Sequence, residues 1–190
     1  MLRTTISRTR RNHALEHATI HMLSERHKNF SAQGNSTPAG FYLNIYGNLT
    51  EEDVVEAVHE AHRRMNNGEA HLAVHPNCGT VLLTTATMVT LASQLAFAIE
   101  HKRQRQSSVT PLTFLGALPA AVLAGTVALI VSRPLGLSLQ ARFTVESDLG
   151  ELQVTRVQKI APSPITRLFK FLLAAGRDLD MTAYRVDTAG

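Results

Sequence analysis

The sequence predicts an α+β protein, a small soluble domain interrupted by a two-helix transmembrane hairpin. Three observations predict it. No charged residue occurs in the 21 positions from Gly79 to Ile99, nor in the 24 positions from Val109 to Ser132. At about 1.5 Å per residue, a helix of some 20 residues reaches roughly 30 Å, the thickness of a hydrocarbon core. The remaining 145 or so residues are polar and mixed in charge, and they alternate helix-like and strand-like patterns on both sides of the apolar runs. That length is enough for one modest core. The predicted division is 1–78 and 133–190 as two halves of one domain, with 79–132 as the hairpin. An even number of crossings leaves both halves on one side, so they can share a sheet.

The elements follow in order. Residues 12–26 read as a helix, with Asn12 as a possible cap and Leu15, Ala18, Thr19 and Met22 on one stripe. Residues 29–48 are turn-rich, but Gly40-Phe-Tyr-Leu-Asn-Ile-Tyr-Gly47 within them reads as a strand bounded by glycines. Thr50-Glu-Glu-Asp53 has the form of a capping box opening a second helix, whose buried face is Val54, Val58, Ala61 and Met65. From Glu69 to His75 apolar and polar residues alternate, which predicts a half-buried strand with His71 and His75 on one face. Pro76-Asn-Cys-Gly79 then turns into the first apolar run. After the hairpin, Leu139, Ala141, Phe143 and Val145 alternate with polar residues, and Asp148-Leu-Gly150 predicts a turn into a returning strand, 151–160. Ser163-Pro164 predicts the start of an amphipathic helix over 164–175, and Met181 to Asp187 a last strand.

Charge and composition bound the function classes. The net charge of +4 and pI near 9.6 match an excess of Lys and Arg beside lipid headgroups. With no Trp and three scattered Tyr, no basic face interleaved with aromatics is present, so nucleic acid is not an expected partner. The start of the chain, with Arg3, Arg8, Arg10 and Arg11, is not that of a signal peptide, so both termini are expected in the cytoplasm of a bacterial inner membrane. The expected partner is the lipid bilayer. Two small-residue ladders, Gly116, Ala120, Ala124 and Ala117, Ala121, Gly125, suit packing of the hairpin or of a homo-oligomer. A pump or pore would normally place an ionisable residue at mid-depth, and neither run has one.

The residues suited to chemistry form two clusters. His13-Ala-Leu-Glu-His17 continues to His21, and at 100° per residue His13, Glu16, His17 and His21 share one stripe. Histidines at i and i+4 can hold one zinc ion from a single helix. The order His-x-x-Glu-His is that of the inverzincins, in which the glutamate activates a water, giving Glu16 as the candidate general base. Glu56, Glu60 and Glu69 are candidate third ligands by type. A solvated polar face or a buried His/Glu hydrogen-bond network would produce the same stripe. The second cluster is His71, His75 and Cys78. Cys78 opens the first apolar helix, where a thiol is acidified, and is a zinc ligand, a nucleophile with His75 as base, or simply a small residue in a turn. His13, His17, His75 and Cys78 together would make a tetrahedral zinc set.

The segments Asn12-His-Ala-Leu-Glu-His-Ala-Thr-Ile-His21 and Gly68-Glu-Ala-His-Leu-Ala-Val-His-Pro-Asn-Cys-Gly-Thr80 resemble a family of bacterial two-span membrane proteins known as a domain of unknown function. Its members occur in cyanobacteria and green non-sulfur bacteria. The resemblance implies the architecture and a bacterial source, and no activity. The expected function is therefore a membrane-anchored metal-binding protein, in its sharper form a zinc-dependent hydrolase, with a non-catalytic membrane adaptor as the alternative.

Overall fold

The computed structural model describes residues 2–103, 111–163, 167 and 180–190. Among the described residues, four long helices accompany one four-stranded antiparallel sheet. The order is α1 (Leu2–Arg26), β1 (Ser31–Thr37), β2 (Gly40–Tyr46), α2 (Glu51–Asn66), a 3-10 turn (Ala70–Ala73), α3 (Gly79–Arg103), α4 (Pro111–Leu139), a π-helical turn (Gln140–Thr144), β3 (Gln153–Ile160) and β4 (Met181–Ala189). The chain divides into two compact units, Met1–His75 with Ala141–Gly190, and Pro76–Gln140.

In the first unit the sheet order is β1-β2-β4-β3, so strands from before and after the hairpin pair directly. Phe41, Leu43 and Ile45 alternate along β2 and point to one face, and Val186 and Tyr184 stand opposite Phe41 and Leu43 in the register. Ala14, Leu15, Ala18 and Leu23 of α1, with Val54, Ala57, Val58 and Ala61 of α2, complete this core at zero exposure. Burial of each such Leu or Val stabilises the fold by roughly 1.5–3 kcal/mol. The capping box of α2 is present as read: Thr50 Oγ1 accepts from the Asp53 N–H at 3.2 Å, and the Asp53 carboxylate accepts from the Thr50 N–H at 2.9 Å.

Several sequence expectations are corrected. α1 begins at Leu2, so Asn12 is no cap. It lies fully buried mid-helix, its Nδ2 donating to the Thr37 carbonyl at 2.8 Å and its Oδ1 accepting from Thr188 Oγ1 at 2.8 Å. One side chain thereby ties α1 to both β1 and β4. The turn-rich stretch after residue 29 contains an edge strand, β1. Glu69 to His75 is not a strand: it holds the 3-10 turn, and His71 points to solvent. The hairpin expected from 139 to 160 is absent, because 140–144 continues helically as a π-turn and β3 pairs with β4 instead. The helix expected over 164–175 lies outside the described residues apart from Arg167.

The second unit is the helical hairpin, and both of its helices are long and apolar enough to cross a membrane. Its small residues have a local use. A Cβ at Gly125 would stand 2.8 Å from Ser93 Oγ, and one at Gly136 would stand 3.0 Å from the Val81 Cα, so these glycines permit close α3–α4 contact. Thr85 and Ser132 hydroxyls bond across the pair at 2.9 Å, and Ser93 Oγ donates to the Ala121 carbonyl at 3.2 Å.

Candidate metal centre

The site begins with helical periodicity. His13, His17 and His21 stand four residues apart on α1, so their imidazoles project along one side of it. The His13 and His17 ring centroids are 4.3 Å apart. His17 is almost fully buried, and His13 and His21 are half-buried.

Helix ends hold these rings in place. The last carbonyls of a helical turn have no partner within it and seek a donor elsewhere. Ala73, at the end of the 3-10 turn, accepts from His17 Nδ1 at 2.7 Å, and Thr144, at the end of the π-turn, stands 2.9 Å from His13 Nδ1. A carbonyl cannot donate, so in both pairs the ring nitrogen carries the proton. With the proton on Nδ1, the ring nitrogen left to bind a metal is Nε2, the arrangement in which a backbone carbonyl orients a metal-binding histidine. His21 is held the opposite way, with Nε2 donating to the Val74 carbonyl at 2.9 Å.

His13 and His17 lie in the first unit, and Cys78 lies at the start of the second. Cys78 is 8% exposed. His75 stands beside this row, its ring 5.8 Å from His17 and 5.0 Å from His21. Burial, with the adjacent His21 and His17, pushes its pKa down to about 4, so the ring is neutral at physiological pH.

Other residues singled out by sequence lie elsewhere. The Glu16 carboxylate faces β1, where it accepts from Ser36 Oγ at 2.6 Å and fills the space beside Gly34. Glu56, Glu60 and Glu69 are engaged with Arg26, Arg63 and Arg64, at 2.8, 2.6 and 2.6 Å. The hydrogen bond from Arg64 holds Glu69 below the usual carboxylate range, and that from Arg63 does the same for Glu60. Sequence reading missed the carbonyls of Ala73, Val74 and Thr144, for which no side-chain signal exists.

A family described as Domain of unknown function (DUF6391) matches residues 8–157, a stretch that includes His13, His17, His75 and Cys78. The chain belongs to that family. A curated relative of this DUF6391 protein, an uncharacterized protein of the bacterium Picosynechococcus sp., is 40% identical to it over 85 residues, which is 40% of each chain. The chain thus spans about 40% of the length of that curated relative. No solved structure matches the chain.

Proposed function

We propose that this protein is a membrane-anchored metal-binding protein in which His13, His17 and Cys78 hold a transition-metal ion, zinc by the character of the donors. The observation that carries the reading is the pair of carbonyl-oriented imidazoles, held at 2.9 and 2.7 Å with ring centroids 4.3 Å apart, and Cys78 supplies the thiol in this proposal. Imidazole nitrogen and thiolate sulfur are the ligands borderline-soft cations prefer, whereas calcium and magnesium take oxygen. Three protein donors leave one position of a tetrahedral ion for water or another exchangeable ligand. His75 and His21 form the surrounding layer in this reading. Glu16 stays outside the set, because its carboxylate is bound to Ser36 on the sheet side of α1. A hydrolase with Glu16 as base draws no support from that contact.

The hairpin supplies the anchor. Leu82, Leu83, Leu91 and Leu95 on α3, and Val122, Leu123 and Ile130 on α4, all expose half or more of their surface, which water would penalise and lipid would not. In the proposed topology both termini lie on the cytoplasmic side of a bacterial inner membrane.

Metal analysis of the protein, purified in mild detergent without chelator, tests the reading. Near-stoichiometric zinc or another transition metal is expected, lost in His13→Ala, His17→Ala and Cys78→Ser and kept in Glu16→Gln. Metal-free wild type that also fails to take up zinc from micromolar solution would contradict it.

A further inference from the structure

The hydroxyls and amides of α3 divide into two groups. On the side packed against α4, Thr85 and Ser93 are bonded to Ser132 and to the Ala121 carbonyl, and Thr84 Oγ1 donates to the Thr80 carbonyl at 2.8 Å. Away from those contacts Thr87, Thr90 and Gln94 are exposed, Gln94 at the rim of the α3–α4 groove beside Phe97, Phe114 and Leu118, and among the described residues their side chains have no hydrogen-bond partner. With Leu83 and Ala98, also exposed, they recur at spacings of four, three, four and four residues. At 100° per residue all five fall within about 80° of arc, a seam of the kind two helices pack along.

The depth of this seam makes it costly to leave open. Thr90 lies near the middle of the uncharged run, and Gln94 is about 6 Å further along the axis. A primary amide facing hydrocarbon has neither water nor protein to bond, and bears the full desolvation penalty. Relief must come from a group at the same depth with both a donor and an acceptor. Copies of one chain insert in the same sense, so a two-fold axis along the membrane normal brings each residue opposite itself. An amide is its own complement, since two facing Gln side chains can exchange a pair of N–H···O bonds. The Ala117 and Gly125 ladder, by contrast, is already spent on α3 of the same chain, where Ala117 is 1% exposed.

We infer that the protein forms a homodimer in the bilayer through the Leu83, Thr87, Thr90, Gln94 and Ala98 face of α3, with the two Gln94 amides hydrogen-bonded across the axis. This rests on the hairpin lying in lipid, and it is independent of the metal site.

Cysteine cross-linking in native membranes tests it, in a full-length Cys78→Ser background that has no other cysteine. Thr90→Cys and Ala98→Cys should form disulfide dimers under mild oxidation, whereas Leu95→Cys, exposed on a different side of the helix, should not. Adding Gln94→Leu to Thr90→Cys should lower the cross-linked fraction at limiting density roughly tenfold, and Gln94→Asn should restore part of it. Carbonate extraction of each variant separates the two layers of the argument. Wild type released by carbonate would overturn the bilayer reading and the dimer with it. Wild type retained by carbonate, but cross-linking equally at Leu95→Cys or unaffected by Gln94→Leu, would overturn the dimer alone.

Discussion

Asn12→Ala should cost the soluble unit about 3 kcal/mol. The side chain makes two bonds, to the Thr37 carbonyl and from Thr188 Oγ1, each 2.8 Å long. A neutral hydrogen bond contributes about 1 kcal/mol net, and a buried group left unpartnered costs roughly 1–3 kcal/mol more. Asn12 is fully enclosed and Thr188 nearly so, so water cannot readily replace the lost partner. The protein has an internal reporter for this unit: its three tyrosines, Tyr42, Tyr46 and Tyr184, all lie on β2 and β4, and it has no Trp. Urea unfolding in dodecyl maltoside, followed by tyrosine fluorescence, therefore reads the sheet and not the hairpin. With a slope of about 2 kcal/mol per molar, the midpoint should fall by roughly 1.5 M. In a double-mutant cycle with Thr188→Val the two losses should be non-additive by about 1 kcal/mol, since each mutation removes the same bond. A midpoint within about 0.3 M of wild type, or full additivity, would refute the assignment of Asn12 as the clamp between α1 and the sheet.

Two further outcomes follow from the same unit. Gly34→Ala should destabilise it by roughly 1–3 kcal/mol, because the new methyl would overlap the Glu16 side chain, and Glu16→Ala in the same chain should recover most of the loss in the urea assay. In chelator-treated protein, stability should fall as pH drops from about 6.5 to about 4: His75 is held neutral in the fold, at a pKa of about 4, while the unfolded chain takes up a proton near 6.5. His75→Leu should flatten that part of the pH profile, and an unchanged slope would show that other groups carry it.

Long, strongly patterned segments were legible in the sequence. The charge-free runs appear as α3 and α4, the capping box fixes the start of α2, and the alternation of Phe41, Leu43 and Ile45 is strand β2. Short alternations were not. Leu139 to Val145 alternates, yet Phe143 is 67% exposed, and the backbone simply continues from α4 for one more turn. Glu69 to His75 is too short to distinguish a period of two from a period of three, and tertiary contacts to α1 decide for the 3-10 turn. Strand β1, Ser-Ala-Gln-Gly-Asn-Ser-Thr, carries no apolar face because it is an exposed edge whose Gly34 makes room for Glu16. At the site, helical spacing alone placed His13, His17 and His21 together, and Cys78 was readable as a donor by type. The Glu16 carboxylate accepts from Ser36, twenty residues distant in sequence, a partner that no local pattern announces.

X-ray absorption at the metal edge of the zinc-loaded protein tests the metal centre most directly. The proposed ligand set predicts one sulfur at about 2.3 Å and two imidazole nitrogens at about 2.0–2.1 Å, with the sulfur shell lost in Cys78→Ser and one imidazole lost in His13→Ala. A wild-type spectrum with only oxygen neighbours, or one unchanged by both substitutions, would contradict it.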